Sequence, residues 1–494
     1  MPESIIIKRV KFTKAEIAGL LLILVFALCF NLFNNNFLLG YHPDEIKKVD
    51  FIKTHKQDFR HPILMLQSVR LLNVFFCYTP DQSVVELGRA STAFYGALAV
   101  LFAYLIFRQS IPKRYALFAA LTVAMSPSMV IHSHYLKEDI IFTCSALLSL
   151  LLFIEFIRYR DLRRALLFGV GLGLAISAQY KGFLLIPFYF VMPIVIEVKE
   201  KWRYYRSIIS AFCVSGFTFL LVNYPIVFNF STFRHGFLLE KNHALQGHAI
   251  KISALSQCFG FHFFNSLIPG MTLLIAVLAV SGIVYSIFRW RQIKWIEKVL
   301  LFYAGYLYLL HEIVPLKPFP DFIRYMIPII PVMDFFAVKI ILVINNYLIR
   351  TRLRVLVYPL LLLTLGIPFH DSLQLVNNLN KDTRMQAEKW IKERNKNALY
   401  EEYASIHKDM FSLVEADIPL VRKNGVDCLV VSSFVYDRYI FGSSLKDQYE
   451  NVYEAAKTYR ELFKLPYEEI SPAYKSFAFS NPTIRIINIS ETKE

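Results

Sequence analysis

Long apolar runs recur along this 494-residue chain, and they constrain its fold more than any other feature. Each run is about 17–25 residues long, the length that a helix needs to cross the hydrocarbon of a bilayer. The runs are continuously apolar rather than alternating, which favours helices over the strands of a barrel. We therefore predict a polytopic α-helical membrane protein with about eleven transmembrane helices, near residues 16–38, 84–107, 114–131, 139–157, 164–180, 182–197, 207–223, 268–288, 296–313, 323–344 and 353–368.

Basic residues give the predicted spans a direction. The net charge of +16 would indicate nucleic acid as the partner of a soluble protein, but here the excess lies in short connections between apolar runs, so we predict no nucleic-acid partner. Every second connection is basic, and the positive-inside rule then places these connections and the N-terminus in the cytoplasm. The residues concerned are Lys8, Arg9, Lys11, Lys14, Arg108, Lys113, Arg114, Arg158, Arg160, Arg163, Arg164, Lys199, Lys201, Arg203, Arg206, Arg289, Arg291, Lys294, Arg350, Arg352 and Arg354.

The other connections are longer and chemically more varied, so we expect the function on the outer face. Residues 1–368 form the predicted transmembrane domain, with outer loops at 39–83, 132–139, 224–267 and 314–322. Within the first loop, "HPILMLQSVRLLNVFF" has the composition of an amphipathic helix lying along the interface. Residues 369–494 change to a soluble composition. There "DTRMQAEKWIKERN" has helical spacing, and "DCLVVSS" and "TIRIINI" are typical of strands, which predicts a small extracytoplasmic α/β domain.

The stretch "LLGYHPDEIKKVDF" places two adjacent carboxylates, Asp44 and Glu45, where the first apolar run stops. A helix start explains part of this, because Pro43 suits the first turn and acids there complement the helix dipole. Ionisable groups at a membrane edge are also retained for function. Both explanations remain open, and Asp44 and Glu45 are our candidate catalytic residues.

Further polar groups are predicted to reach the same outer edge. The segment "HSHYLKED" supplies His132, His134, Lys137 and Asp139, although Asp139 could cap a span and Lys137 could extend its amine to the interface. Cations that interrupt apolar runs need an anion or a polar cavity, or a route to the interface. Our candidates for substrate or phosphate binding are His61, Arg60, Arg89, His132, His134, Lys137, Asp139, Lys181, Arg324 and Tyr325.

Carboxylates and cations together suit transfer from a phosphate-activated donor. A carboxylate can accept the proton of an attacking hydroxyl or amine, and cations can stabilise the charge that develops on a departing phosphate. A lipid-linked donor would explain a site at the bilayer edge. We find no P-loop, dinucleotide-binding glycine motif or catalytic serine order that would indicate an ATPase, a dehydrogenase or a hydrolase.

Several motifs, taken in order, resemble those of a known superfamily. They are "YHPDE", "FRHPILML", "GRASTAFYGALAVLFAYLIFR", "SHYLKED", "LAISAQYKGFLLIP" and "FIRYMIPIIP". The chain resembles the membrane-embedded C-type glycosyltransferases, in the superfamily of protein O-mannosyltransferases and lipid A aminoarabinose transferases. The resemblance covers most of residues 16–335. Two departures concern His61 and Lys181, since "HPIL" lacks a second proline and "AQYKG" lacks a threonine.

The resemblance implies an inverting transfer of a sugar from a polyprenyl-phosphate donor, with Asp44 as the base and Glu45 supporting it. It also implies that Asp139, His132 and His134 line the cavity near donor and acceptor. Our candidates for the phosphate contact are Arg89, Lys181 and Arg324. No cofactor is required; a divalent metal at Asp44, Glu45 and Asp139 is permitted but not demanded. The partners would be membrane lipids, the donor, and an acceptor protein, lipid or glycan. The C-terminal segment "DTRMQAEKWIKERN" also resembles the bacterial members, and this favours a bacterial inner membrane, active on its outer face, over the endoplasmic reticulum.

Two other functions compete with glycosyl transfer. A transporter or flippase of lipid-linked glycans would carry out no chemistry, but such proteins often show internal repeats with paired broken helices, and we find no repeat. A purely structural scaffold would leave the outer acids unexplained. Replacing Asp44 with Asn distinguishes the transferase from both.

Overall fold

Helices dominate the computed structural model, which describes residues 12–198, 200–246, 250–315, 317, 322–349, 351–406, 410–411, 425–477 and 481–489. The basic residues Lys8, Arg9, Lys11, Lys199 and Arg350, and parts of the predicted loops at 224–267 and 314–322, lie outside these ranges. Numbered in chain order, the helices of the larger part are α1 (Lys14–Leu32), α2 (Pro43–Thr54), α3 (Leu64–Phe76), α4 (Asp81–Phe107), α5 (Lys113–Met125), α6 (Pro127–Ser133), α7 (Glu138–Tyr159), α8 (Leu162–Ala178), α9 (Leu185–Val195), α10 (Lys201–Val222), α11 (Pro225–Phe228), α12 (Phe230–Gln246), α13 (Ile268–Met271), α14 (Leu273–Phe288), α15 (Trp295–Ile313), α16 (Ile330–Leu348) and α17 (Val357–Asn377).

The predicted membrane spans fall on these helices, although the count of eleven is not confirmed. In the described part of the chain, six helical segments are long and apolar enough to cross a bilayer, and up to eight if each of two bent pairs is one span. The remaining predicted spans, 164–180, 182–197 and 296–313, correspond to α8, α9 and α15. Helices α8 and α9 have 17 and 11 residues. Helix α15 is 19 residues long but carries Glu297, Lys298 and Glu312.

Two predicted spans are bent. Helices α5 and α6 meet at 55°, where Pro127 follows Ser126. A proline lacks the N–H for the intrahelical bond and disfavours helix in the residue before it, so the chain kinks there. The segment Phe263–Met271, a π-helical turn followed by α13, meets α14 at 112°. Helix α6, which carries His132, packs against α13, so the two bends lie close together.

Four of the basic segments, at the start of α1 and at residues 108–114, 158–164 and 289–294, meet at one end of the bundle. Arg108 Nε lies 2.5 Å from Glu16 Oε1, Arg158 donates to Gln109, and Lys294 donates to the carbonyl of Ser110. Contacts between these distant segments place them together, as the alternating charge pattern predicts. Helices α2 and α6 lie at the other end.

A buried ion pair crosses the apolar core. Lys339 Nζ lies 2.6 Å from Glu297 Oε2 and 2.9 Å from Ser286 Oγ, joining α16 to α15 and α14. Helix α7 shows the complementary case: its residues are apolar on nearly all sides, and it is buried on nearly all sides. The buried charge of Lys339 is therefore compensated by that of Glu297.

The C-terminal region is a small α/β domain, as predicted. Its helices are α18 (Thr383–Glu393), α19 (Ser433–Ser443) and α20 (Glu450–Leu462), and its strands are β1 (Ala398–Glu401), β2 (Met410–Phe411), β3 (Cys428–Ser432), β4 (Tyr467–Ile470) and β5 (Ile484–Asn488). The strand order is β2-β1-β3-β5-β4, with β1 parallel to β2 and β3, and β5 antiparallel to β3 and β4. Helix α18 covers one face through Ala387 and Ile391, and the other face packs on α19 and α20 through Val435 and Tyr459.

This domain is attached to the end of the bundle that carries α2. Arg384 is fully buried; it pairs with Asp382 at 2.7 Å and donates to the carbonyl of Tyr41 at 2.9 Å. Gln448 exchanges two hydrogen bonds with the backbone of Lys251. The domain is therefore fixed directly beside the "YHPDE" segment.

Candidate active site

Asp44 lies in the first turn of α2. The helix begins at Pro43, and His42 caps it by accepting the backbone N–H of Asp44 on Nδ1 at 3.2 Å. The ring of His42 is buried, whereas the side chain of Asp44 is 47% exposed. The helix start predicted from Pro43 is thus confirmed, and it leaves the Asp44 carboxylate accessible.

Lys137 connects the two acidic segments. Its Nζ lies 3.3 Å from Asp44 Oδ2 and 3.2 Å from His42 Nε2. Partial loss of hydration around the half-exposed Asp44 opposes its ionisation, but Lys137 above all outweighs this and holds the pKa of the carboxyl well below its usual range. Burial, reinforced by Lys137, also keeps the pKa of His42 low. Asp44 is therefore a carboxylate, and His42 a neutral imidazole, throughout the physiological pH range.

Glu45 and Arg89 form a buried pair. Both side chains are inaccessible, with Arg89 Nη2 2.5 Å and Nε 3.0 Å from the two carboxylate oxygens. The remaining Arg89 donors reach the carbonyls of Asn35, Phe37 and Leu38. Arg89 therefore donates its hydrogen bonds to protein acceptors. These contacts favour a structural role for Arg89 over the predicted phosphate contact.

Glu45 also fixes the segment that carries Lys137. Its Oε1 accepts the backbone N–H of Leu136 at 3.0 Å. One residue later, Lys137 reaches Asp44, and beyond it Glu138 pairs with Lys48 at 2.6 Å in a buried contact. Helix α2 and the start of α7 are thus held together by three polar contacts, which set the distance between Asp44 and Lys137.

Asp139 is buried beside these groups, in the first turn of α7. Its Oδ1 accepts a hydrogen bond from Gln179 Nε2 at 2.8 Å, and its Oδ2 has no hydrogen-bond partner among the described residues. Asp139 lies within electrostatic range of Lys137, Lys181 and Arg324. A buried carboxylate oxygen without a donor is costly unless it is used, so Asp139 remains a candidate for substrate contact.

Lys181 and Arg324 converge on the ring of Tyr325. Lys181 Nζ lies 4.0 Å from the ring centroid and Arg324 Cζ 5.2 Å, while His311 stacks on the same ring at 5.1 Å. The sequence "YKG" sits in a 3₁₀ turn between α8 and α9. A Cβ at Gly182 would lie 2.6 Å from backbone atoms of Ile176, so the chain can turn this tightly only with glycine there. Lys181 and Arg324 thus place two positive charges close together, both within electrostatic range of Asp139.

The two histidines of "HSHYLKED" are held by the backbone. The Nδ1 atoms of His132 and His134 lie 2.9 and 2.7 Å from the carbonyls of Ser128 and Val130, one turn earlier in α6. His134 Nε2 also lies 3.0 Å from the carbonyl of Phe33. His134 thus bridges α6 to the end of α1, which favours a structural role, whereas His132 lies within electrostatic range of Asp139.

Arg60 and His61 lie on the more exposed side of the site. Arg60 Nε is 3.5 Å from Asp58, and His61 Nδ1 is 4.0 Å from Glu240 of α12. His61 lies within electrostatic range of Asp44, and His243 of α12 lies within electrostatic range of Arg324.

The sequence predicts neither Glu240 nor His243, because they occur in a helix without a motif. Lys48 and Gln179 were also missed, although each lies within a recognised segment.

The carboxylates do not combine into a metal site. No group of three or more His, Cys, Asp or Glu in the described ranges could hold a metal ion. Both oxygens of Glu45 are committed to Arg89, and Asp44 is paired with Lys137. Asp44, Glu45 and Asp139 therefore do not fit the shared divalent-metal site that the resemblance permits, and the reaction proposed below uses no metal.

Comparisons with known proteins agree with this architecture. The family model described as dolichyl-phosphate-mannose-protein mannosyltransferase matches residues 85–221. No protein of curated function matches the sequence.

Solved structures of similar fold extend over the rest of the chain. The archaeal oligosaccharyltransferase AglB from Archaeoglobus fulgidus, in complex with an inhibitory peptide and a dolichol-phosphate, has 12% identity and a TM-score of 0.57, covering 97% of this chain and 75% of that one. ArnT from Cupriavidus metallidurans, bound to undecaprenyl phosphate, has 12% identity and a TM-score of 0.54, covering 96% and 98%. The A. fulgidus oligosaccharyltransferase in complex with Zn and sulfate has 14% identity and a TM-score of 0.55, covering 92% and 72%. The chain is therefore an integral membrane protein that shares the C-type glycosyltransferase fold of the archaeal oligosaccharyltransferase and ArnT structures.

Proposed function

We propose that this chain is an inverting glycosyltransferase that moves a sugar from a polyprenyl-phosphate donor to an acceptor, with Asp44 as the general base. One observation carries the proposal: an accessible, ionised Asp44 lies beside Lys137, in a site that also holds Asp139, Lys181 and Arg324. Similar folds have been solved with dolichol-phosphate and with undecaprenyl phosphate. These ligands share a phosphate on a polyprenyl chain, which is the leaving group we propose here.

The proposed reaction is a single displacement at the anomeric carbon. The acceptor oxygen or nitrogen attacks that carbon from the face opposite the phosphate, and the bond to the phosphate oxygen breaks with its electron pair. Asp44 accepts the acceptor's proton as the new bond forms. A phosphate leaving group is weakly basic, so no general acid is needed. The product is the inverted glycoside, together with polyprenyl phosphate.

Lys181 and Arg324 are the proposed contacts for the departing phosphate. They approach the same ring of Tyr325, whereas Arg89 is occupied by Glu45. Asp139 and His132 are proposed to line the sugar site between these cations and Asp44. Arg60 and His61 would contact the donor or acceptor at the outer rim. Glu45 would support catalysis by positioning Lys137 through Leu136.

The proposed orientation follows from the charge pattern. The basic end of the bundle would face the cytoplasm, and the end with Asp44 and the C-terminal domain would face outward, in a bacterial inner membrane. Helix α3 exposes Leu71, Val74 and Phe75, which suits an amphipathic helix at the outer interface. The acceptor would approach from the C-terminal domain, whose Tyr403 lies within electrostatic range of Asp44.

Replacing Arg324 or Lys181 with Gln should raise the KM for a polyprenyl-phosphate sugar by about 10- to 100-fold, because each variant removes a charged hydrogen-bond donor to phosphate. The kcat should also fall, since these cations would stabilise charge that develops as the phosphate departs. Steady-state kinetics with purified protein in nanodiscs measure both constants. The matched control is Arg460→Gln, which alters an exposed arginine of α20. A KM that stays at the wild-type value in both variants would show that neither Lys181 nor Arg324 binds the phosphate.

Replacing Lys137 with Gln should move the acidic limb of the pH–rate profile toward neutral pH. In the wild type, the low pKa keeps Asp44 ionised at mildly acidic pH, so its protonation costs no activity there. Without Lys137, the loss of hydration opposes ionisation with less compensation, the pKa of Asp44 rises, and the carboxylate is lost at a higher pH. Lys47→Gln, a surface variant on the same helix, should leave the limb in place. An identical limb in the Lys137 variant would show that Lys137 does not set the ionisation of Asp44.

A further inference from the structure

A large cavity lies apart from the Asp44 site, between the bundle and the C-terminal domain. Its volume is about 1,100 Å³, which exceeds the roughly 300–1,000 Å³ of most small-molecule pockets. It shares no lining residue with the groups assigned to catalysis. Helix α6, which carries His132, packs against both α13 and α17, the helices that contribute to the bundle side of the cavity.

The two walls of the cavity differ in chemistry. The bundle side presents apolar residues, among them Leu273, Leu274 and Ile367, and the domain side presents polar ones, among them Asp437, Lys475 and Thr483. The apolar wall continues to the outside of the bundle, where Leu273 is 60% and Val277 49% exposed. A ligand that fits both walls has an apolar tail and a polar head, and it can enter sideways from the bilayer.

Thr272 points to a polar ligand at this site. It lies at the 112° break between α13 and α14, lines the cavity, and has a φ of 75°. A β-branched residue in this region of φ is strained, and such strain persists where the surrounding structure or a function requires it. Thr272 is 5% exposed, and its hydroxyl has no hydrogen-bond partner among the described residues. An unpartnered buried hydroxyl is a ready donor or acceptor for a bound head group.

The charges of the lining select the type of head group. Among the described lining residues, Lys475 is the one cation, whereas Asp371 and Asp437 are acids. A phosphate head would meet more like charge than opposite charge. Hydroxyl groups, in contrast, can bond to carboxylates, to the ammonium group and to the free hydroxyl of Thr272.

From these observations we infer that the cavity binds a membrane amphiphile with an uncharged, hydroxyl-rich head, the chemistry of a glycosylated lipid. The tail lies along the α14 and α17 wall, and the head bonds to Thr272 and to the polar wall of the C-terminal domain. This inference does not depend on glycosyl transfer, since it concerns binding at a separate place.

A photoreactive monohexosyl diacylglycerol in nanodiscs tests the site on the full-length protein. We expect saturable labelling that maps to residues 268–277, 471–477 and 481–483. Thr272→Val should weaken labelling about threefold to tenfold, the loss expected for one hydrogen bond. The same variant should not lower the melting temperature of the protein without probe, because it removes an unsatisfied hydroxyl and keeps the side-chain shape. Leu274→Trp, which fills the apolar wall, should also reduce labelling.

The control is Thr364→Val, which alters a buried threonine of α17 that does not line the cavity. It should label as the wild type does. Equal labelling by a photoreactive phosphatidylglycerol would identify ordinary surrounding lipid and overturn the inference. Wild-type labelling of Thr272→Val would overturn it as well. Labelling and melting temperature are both measured without enzyme activity. They therefore test the cavity even if the proposed transfer reaction does not occur.

Discussion

Replacing Arg89 with Met should lower the free energy of unfolding by about 3–5 kcal/mol, because it leaves Glu45 as a buried carboxylate without its cation. The pair has no exposed surface, so water cannot compensate for the lost partner. The variant also removes donors from the carbonyls of Asn35, Phe37 and Leu38, which hold the chain at the end of α1. Thermal unfolding of the detergent-purified protein measures the loss as a lower melting temperature.

Two further variants distinguish the buried pair from a general charge effect. Lys47→Met breaks an exposed pair with Asp58, whose members are 53% and 33% exposed, and should cost at most about 1 kcal/mol. The double variant Glu45→Met with Arg89→Met removes both charges and should recover part of the stability. If Arg89→Met unfolds at the wild-type temperature, the pair does not organise this end of the bundle.

Replacing Asp44 with Asn should lower kcat about 10²- to 10⁴-fold, the contribution typical of a positioned general base. Asn keeps the size of the side chain and its place in the first turn of α2, but it cannot accept the acceptor's proton. Donor binding should be nearly unchanged, since the proposed phosphate contacts lie at Lys181 and Arg324. Single-turnover kinetics and donor titration measure the two effects separately.

A matched control for Asp44 is Asp50→Asn, an exposed aspartate further along α2. It should retain the wild-type rate. Equal losses in Asp44→Asn and Asp50→Asn would point to a general weakening of α2. An undiminished rate in Asp44→Asn would assign the base elsewhere, with Asp139 as the next candidate because one of its oxygens lacks a partner among the described residues.

Local patterns predicted much of the fold. Pro43 and the acids after it gave the start of α2, and the structure begins that helix at Pro43. The strands at Cys428–Ser432 and Ile484–Asn488 were also recognised. These features depend on short-range physics: proline geometry, apolar length and alternation act within one segment. The count of spans was harder, because α8, α9 and α15 are short or charged and depend on neighbours for their burial.

Long-range pairing could not be predicted in the same way. A basic residue that interrupts an apolar run looks the same whether it meets a substrate phosphate or a protein carboxylate. In the structure, Arg89 pairs with the carboxylate of Glu45, 44 positions away, and Lys48 pairs with the carboxylate of Glu138, 90 positions away. Lys181 and Arg324, in contrast, lie together at one ring. The sequence therefore predicted some of the ionisable groups that lie near Asp44 but missed Lys48, Glu240 and His243, and the fold decides which groups neutralise each other.

The most direct measurement of the central proposal follows a polyprenyl-phosphate sugar, labelled in both sugar and lipid, with the purified protein in vesicles that contain a membrane extract as a source of acceptors. A panel of hexose and pentose donors covers the unassigned sugar. The proposal predicts acceptor-dependent release of polyprenyl phosphate and an inverted product from the wild type, and neither from Asp44→Asn at a comparable rate. Movement of the intact donor between leaflets by both proteins, without release of polyprenyl phosphate, would contradict it and indicate a flippase.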